Sequence, residues 1–285
     1  MTLPMQETRF SILLDELAAK QEATIAPYLL ADGTKVWVRK AGRHNARWRY
    51  ALLGMVARYL KLGVLKPVPS LGGEPAIATE SKRLYELRSA GIAVPELLAV
   101  RKNALMFGNL EGIPLDTQIR QEAEAGKADA WLAGLEAIAR VHKKRQFLSQ
   151  AFARNMMWDG KNISFLDFED DPSEVLTIAQ CQARDWLCYI HSTALILKNG
   201  GLLEAAAEKW GGVLSDQPAE IQKLIAGTVK PILPIRRLEH PRWGRDALRL
   251  AASISLISLA DMPSESPSTA YNQRASGIVA TIRFV

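Results

Sequence analysis

The chain has 285 residues, of which 48% are hydrophobic and 23% charged, and its formal net charge is +6. This composition is typical of a globular protein with a sizeable core, and no apolar run approaches the ~20 residues of a membrane span. The two cysteines, Cys181 and Cys188, exclude a disulfide framework, and we expect both to be buried thiols. The N-terminus carries acids within its apolar stretch and lacks a cleavage site, so we expect a cytoplasmic protein.

The first elements along the chain are predicted to be a helix and a hairpin. Residues 7–20 have apolar positions at helical spacing. Asp32-Gly33 lies between two β-rich runs, a pattern that predicts paired strands at 24–30 and 35–40.

Two more helices and two strands are predicted before residue 110. Residues 46–62 form an amphipathic basic stretch, which is expected to pack on its own domain or to lie on a membrane surface. After a loop rich in proline and glycine, a helix is expected at 75–90, closed by Gly91. The segments VPELLAV and NALMFGNL then read as short strands.

The rest of the chain is predicted to be mainly helical. Its predicted helices cover 128–142, 174–198, 201–210, 217–228 and 244–260. This division predicts a sheet-containing lobe at 1–110, a helical lobe at 111–261 and a loosely held tail at 262–285. We therefore expect an α+β fold with a cleft between the lobes.

Four polar positions follow one another in an informative order. The strand VWVRK offers a cation, Arg39 or Lys40, and the next helix offers Glu80. The loop FARN offers Asn155, and the strand LDFED offers Asp167. Together with ESKRLYELRSAGIAVPELL and IARVH, these segments resemble the protein-kinase-like superfamily, particularly its bacterial lipopolysaccharide-kinase, aminoglycoside-kinase and choline-kinase relatives.

The resemblance, which spans roughly residues 24–260, implies a two-lobed kinase-like fold, with a small antiparallel sheet and a larger helical lobe, that uses ATP and Mg²⁺. In that family a strand cation pairs with a helix glutamate and holds phosphates, while Asn and Asp hold the metal. The equivalent metal ligands here are Asn155 and Asp167, and Glu169 is expected to contribute its carboxylate to the same metal site. Carboxylate and amide oxygens are ligands that Mg²⁺ prefers.

The identity of the cation depends on strand alternation. Relatives place a small residue two positions before the lysine, where it covers the adenine, and Val38 before Lys40 fits this better than Trp37 before Arg39. Lys40 is therefore predicted to bind phosphate, with Arg39 as the alternative. Glu80 is expected to be its partner, although an acid near a helix start is also favoured by the helix dipole.

The resemblance also places the adenine contact and a supporting aspartate. Backbone groups near Phe107 and Asn109 are expected to meet the adenine edge. Asp185 is expected either to accept a hydrogen bond from the loop backbone or to form a surface pair with Arg184.

Three departures from the family pattern affect the predicted chemistry. Gln150 stands where relatives have the aspartate that takes the acceptor's proton, and a neutral amide is no base. No glycine-rich loop precedes the cation strand, and Glu169 replaces the glycine of the Asp-Phe-Gly motif. We expect slow catalysis, with Gln150 orienting the acceptor.

Three functions are consistent with the sequence. The first is an ATP- and Mg²⁺-dependent phosphotransferase acting on a small-molecule, sugar or lipid-linked acceptor. The second is a pseudokinase, a nucleotide-binding or scaffold protein that regulates a partner. The third is a basic binding module for nucleic acid or membrane, which the four site residues disfavour. No specific nucleic acid is expected, and peripheral membrane contact through 46–62 stays an alternative to packing of that segment on its own domain.

Overall fold

A computed structural model describes residues 5–42, 64, 72–238 and 240–260. The helix predicted at 46–62 and the tail predicted at 262–285 lie outside the described residues. No described helix combines the length and the hydrophobicity needed to span a bilayer.

The N-terminal part is a four-stranded antiparallel sheet between two helices. Its elements are α1 (Met5–Lys20), β1 (Ile25–Leu29), β2 (Lys35–Lys40), α2 (Gly73–Ser89), β3 (Leu97–Arg101) and β4 (Ala104–Gly108). The strand order is β1-β2-β4-β3, and every neighbouring pair is antiparallel. The predicted hairpin is confirmed, since Asp32 accepts a hydrogen bond from the Thr34 amide at 3.0 Å and Gly33 adopts a φ of 81°.

The two faces of this sheet pack against different helices. Val36 and Val38 join Leu14 of α1 in one apolar cluster. Leu105 and Phe107 pack with Ile77 of α2 in another, at whose edge Trp37 lies. Because successive side chains of a strand point to opposite faces, β2 directs its odd-numbered residues toward α2.

The C-terminal part contains a small sheet and six helices among the described residues. Strands β5 (Ile113–Pro114), β6 (Met156–Trp158) and β7 (Ile163–Phe165) pair in that order, all antiparallel. The helices are α3 (Leu115–Glu124), α4 (Asp129–Lys143), α5 (Ile178–Asn199), α6 (Leu203–Ser215), α7 (Ala219–Val229) and α8 (Arg245–Ala260).

Buried aromatic side chains on α4, α5 and α6 form the centre of this helical part. Trp186 of α5 packs against Trp210 of α6 with ring centroids 5.3 Å apart. Trp131 of α4 donates a hydrogen bond to Thr193 at 3.0 Å, and Tyr189 donates one back to the Trp131 carbonyl at 2.8 Å. Buried aromatic polar groups are stable when paired in this way.

Helix α2 also contacts the helical part. Arg83 is 3% exposed, lies over the Phe147 ring at 4.0 Å and donates to the Phe147 carbonyl at 2.8 Å. Lys144 donates to the carbonyls of Ala90 and Gly91 after the end of α2, both at 2.8 Å. The predicted α+β class and the arrangement of a small sheet beside a larger helical part are confirmed.

Candidate functional site

A cleft of about 510 Å³ lies between the four-stranded sheet and the helical part. Its lining includes side chains from β2, α2, the segment between β4 and β5, the loop before β6 and the segment after β7. Six of the predicted site residues line it, namely Arg39, Glu80, Phe107, Asn109, Asn155 and Asp167. The chain order expected for a kinase-like site thus brings these residues to one cavity.

Arg39 is the cation that contacts the carboxylates of this cleft. Its Nη1 lies 2.9 Å from Glu80 Oε2, 3.2 Å from Glu169 Oε1 and 3.8 Å from Asp167 Oδ1. The Arg39 side chain is 16% exposed and that of Glu80 is 5% exposed, so solvent screens the pair weakly. One guanidinium therefore lies within 4 Å of three carboxyl groups.

The prediction that Lys40 pairs with Glu80 is wrong. Lys40 donates instead to the Gln21 carbonyl at 2.7 Å, and it does not line the cleft. Trp37 and Arg39 share the face of β2 that borders the cleft, whereas Val38 is buried against α1. The prediction required a small residue on the cleft face, and this chain has a tryptophan there.

Burial dominates the protonation of Glu80. It raises the pKa of the Glu80 carboxyl to about 7, although the charge and hydrogen bond of Arg39 act in the opposite direction. Burial also raises the pKa of Glu169, again against the effect of Arg39 and with the Asp167 charge adding to the rise. Both carboxyls are thus easier to protonate than a surface glutamate.

Asn155 and Asp167 face each other across the floor of the cleft. Asn155 Nδ2 donates to Asp167 Oδ2 at 3.1 Å and to the Gln150 carbonyl at 3.3 Å. Asp167 has a φ of 71°, a left-handed conformation that aspartate tolerates better than most residues. Its buried Oδ1 accepts no hydrogen bond from any described residue.

These oxygens fit a hard divalent cation. Asp167 Oδ1 is buried and lacks a hydrogen-bond donor, and the amide oxygen of Asn155 belongs to the same pair. No group of three or more His, Cys, Asp or Glu residues capable of holding a metal occurs in the described part of the chain. A bound Mg²⁺ would therefore take further ligands from phosphate oxygens or water.

Gln150 is fixed by a carboxylate beside the cleft. Its Nε2 donates to Asp170 Oδ2 at 2.7 Å. The preceding residue, Ser149, has a φ of 65° and is 2% exposed, and its hydroxyl accepts or donates no hydrogen bond within the described residues. Gln150 thus has a defined orientation at the edge of a strained loop.

The opposite end of the cleft is partly filled by side chains. Trp37 Nε1 donates to Asn109 Oδ1 at 3.0 Å, and Asn109 Nδ2 donates to Glu111 at 2.8 Å. The Gly108 amide donates to the Glu96 carbonyl at 2.9 Å and the Asn109 amide to the Lys35 carbonyl at 3.2 Å. These two backbone donors are engaged within the protein, so a predicted adenine contact that uses either amide would require it to exchange partners.

Helix α5 holds the loop that carries Gln150. Asp185 accepts from the Leu148 amide at 2.8 Å and lies 3.0 Å from His142 Nε2, which confirms the predicted contact with the loop backbone. Gln182 donates to the carbonyls of His142 and Gln146 at 3.2 and 3.0 Å. The sequence analysis missed Gln182, although its spacing of three residues from Asp185 places both on one helix face.

Comparisons with known proteins find similarity in solved structures alone. No protein-family model matches the sequence, and no curated protein matches it. The pseudokinase domain of BIR2, an immune regulator of the RLK/Pelle family, aligns with a TM-score of 0.31 and 13% identity over 87% of this chain and 81% of that domain. Macrolide 2'-phosphotransferase MphH from Brachybacterium faecium aligns with a TM-score of 0.33 and 14% identity over 90% and 99%.

Proposed function

We propose that the cleft binds a nucleoside triphosphate with Mg²⁺ and that the protein transfers the terminal phosphoryl group to a small-molecule, sugar or lipid-linked acceptor. The observation that carries this proposal is the meeting of two pairs, Arg39 with Glu80 and Asn155 with Asp167, in one cleft of about 510 Å³. A triphosphate needs both a fixed cation and a metal to offset its charge.

Each of these residues would have a distinct task. Arg39 would bind phosphate oxygens, with Glu80 holding its guanidinium in place. Asn155 and Asp167 would ligate Mg²⁺ through their oxygens, and the metal would neutralise charge on the transferred group. If Asp167 turned from Arg39 to the metal, the metal charge would replace that of Arg39. The contact between Arg39 and Asp167 is the longest of the three contacts of Arg39 with carboxylates.

Gln150 would position the acceptor. Its Nε2 donates a hydrogen bond to Asp170 Oδ2, which leaves its Oε1 to accept a hydrogen bond from an acceptor hydroxyl. An amide cannot remove the proton, so the rate should fall by about 10²–10⁴-fold relative to an aspartate. Phosphoryl transfer depends mainly on positioning and charge neutralisation, so a slow reaction is consistent with this site.

A pseudokinase is the second candidate, and it is favoured by the end of the cleft at Trp37 and Asn109. We call this the base end, because it would hold the nucleobase, and the end at Arg39 and Asp167 the phosphate end. The Trp37 side chain borders this end and is bonded to Asn109, and the backbone amides of Gly108 and Asn109 are engaged. A protein that binds phosphates weakly, or that presents the closed cleft to a partner, would have these features.

Isothermal titration of ATP, with and without Mg²⁺, tests the proposal. We expect Mg²⁺-dependent binding that weakens by about 100-fold in Asp167→Asn, because the variant removes a charged ligand. Glu136→Gln, an exposed substitution on α4, is the matched control and should bind as the natural protein does.

Turnover then separates the two candidates. Phosphorylated product in the presence of an acceptor, increased in Gln150→Asp, would support the phosphotransferase. Nucleotide binding without turnover in either protein would support the pseudokinase, and unchanged affinity in Asp167→Asn would reject the site.

A further inference from the structure

A second cavity, of about 270 Å³, lies beside the candidate site and is rich in arginine. We call it the arginine groove, and its four arginines are Arg120, Arg154, Arg245 and Arg249. They come from α3, from the turn Ala153–Asn155 and from the first turns of α8, three parts of the sequence that the fold brings together. Asp116 is the one acidic residue in the lining, which leaves a formal charge of +3 with His191 neutral.

The positive charge of this groove is largely uncompensated. Arg120, Arg154 and Arg245 form no salt bridge with any residue in the described part of the chain. Arg249 is paired with Asp246 at 3.3 Å, but the Asp246 side chain is 94% exposed, so the pair is weak. Like charges held close together without partners repel one another, and an anion in the groove would remove this repulsion.

Neutral groups of the groove complement the arginines. Burial, together with the charge of Arg249, lowers the pKa of His191, while Asp246 has the opposite effect. His191 is therefore neutral near pH 7 and adds a hydrogen-bonding group without adding charge. Arg154 lies over the Phe152 ring, 4.6 Å from its centroid, which holds the guanidinium at the groove.

Arg154 connects the groove to the candidate site. It lines both cavities and directly precedes Asn155, which is bonded to Asp167. A group bound among the arginines is thus next to the residues that we assign to the phosphate end of the nucleotide. Arginine presents several donors in a planar fork that matches phosphate and carboxylate oxygens.

We propose that the arginine groove binds an anionic group of the acceptor, a phosphate or a carboxylate, so that the acceptor of this protein is a negatively charged molecule. The role of the bound molecule as acceptor rests on the proposed phosphotransferase function, whereas the anion site itself rests only on the residues of the groove. The cavity is large enough for a sugar phosphate or the headgroup of a lipid and too small for a folded partner.

Calorimetric titration with glucose 6-phosphate and with glucose, at one low ionic strength, is the first test. We expect the phosphate ester to bind and the neutral sugar to bind at least about tenfold more weakly. The double variant Arg120→Gln/Arg249→Gln should weaken binding of the phosphate ester by about tenfold or more.

A matched control removes the same charge elsewhere. Arg88→Gln/Arg140→Gln changes two exposed arginines, 52% and 61% exposed, that lie outside the groove. Retained binding in this control supports the site, whereas equal weakening in both double variants shows a general charge effect and overturns it. The inference also fails if glucose 6-phosphate does not bind the natural protein, or if glucose binds equally well.

Vesicle sedimentation identifies the source of the anion. Binding to phosphatidylcholine vesicles that contain phosphatidylglycerol, lost in Arg120→Gln/Arg249→Gln and retained in the control, supports a lipid-linked acceptor. Binding of the soluble sugar phosphate alone supports a soluble acceptor.

ATP titration of the same proteins separates this inference from the proposed function. Arg120→Gln/Arg249→Gln should keep Mg²⁺-dependent ATP binding within about twofold, because neither residue lines the cleft. Arginine-dependent binding of the sugar phosphate, without ATP binding in any variant, would uphold the anion site and overturn its role as an acceptor site.

Discussion

The phosphate end and the base end of the cleft are built differently. The phosphate end holds Arg39 of β2 among three carboxylates, which come from α2 and the segment after β7. The base end is bordered by an indole, and the indole N–H and the amides of Gly108 and Asn109 are hydrogen-bonded within the protein.

Under the proposed function, this difference predicts which part of a nucleotide supplies most of the affinity. Buried charges are costly unless they are paired, so the phosphate end is under strong constraint. The Trp37 contact with Asn109 is a single neutral hydrogen bond, which a ligand can displace at a cost of about 1 kcal/mol. The phosphates would therefore supply most of the affinity, and the base would have to displace the indole.

Removing the cation should have the largest effect. We expect Arg39→Met to lower the free energy of unfolding by about 3–5 kcal/mol at a pH above 8, because Glu80 stays buried with its charge unpaired. Lys40→Met is the matched control and should cost about 1 kcal/mol, the value of one hydrogen bond to the Gln21 carbonyl. Urea unfolding measures both, and equal losses would contradict the assignment of the cation.

Protonation of Glu80 gives the next effect. Its pKa is raised from 4.5 to about 7, so the folded protein holds this proton more tightly than the unfolded chain does. The stability that this proton contributes is complete below about pH 4.5 and is lost as pH rises through about 7. We expect the natural protein to lose roughly 3 kcal/mol over this range relative to Glu80→Gln.

Urea unfolding of both proteins at a series of pH values measures this difference. Parallel pH profiles for the natural protein and Glu80→Gln would show that the Glu80 pKa is not raised. An exposed variant, Glu136→Gln, should follow the natural protein throughout.

Opening the base end should have a moderate effect. We expect Trp37→Ala to tighten ATP binding by about tenfold, because the indole no longer has to be displaced. Trp37→Phe removes the hydrogen bond to Asn109 but keeps a ring, so it should lie between the natural protein and Trp37→Ala. Weaker binding by Trp37→Ala would mean that the indole stacks on the base instead.

Backbone strain near the phosphate end gives the smallest effect. Ser149 has a φ of 65° and a buried hydroxyl without a partner among the described residues, so we expect Ser149→Gly to raise the free energy of unfolding by about 0.5 kcal/mol.

At the base end Gly112 has a φ of 104°, and an added Cβ would collide with the Trp158 carbonyl. Gly112→Ala should therefore destabilise the protein, and thermal unfolding compares the two.

The sequence was most informative where a local pattern determines the structure. Asp32-Gly33 predicted the hairpin because its turn depends on neighbouring residues. The order of Glu80, Asn155 and Asp167 predicted residues that the fold brings to one cleft. Their roles in binding nucleotide and metal stay predictions.

The sequence was least informative where long-range packing decides. Choosing Lys40 over Arg39 required knowing which face of β2 meets α1, and the size of Trp37 suggested the wrong face. The contact of Arg83 with Phe147 joins residues 64 positions apart, and no local pattern indicates it. The arginine groove was missed for the same reason, since its members come from distant segments.

Helix α2 is held at two points by two different parts of the molecule. Glu80 is bonded to Arg39 in the sheet, and Arg83, about one turn later, is bonded to the Phe147 carbonyl in the helical part. A ligand that contacts Arg39 therefore also acts on the first attachment, whereas the residues of the second attachment do not line the cleft. If the cleft binds a ligand through Arg39, a change in the position of α2 that alters the contact between Glu80 and Arg39 also alters the affinity for that ligand.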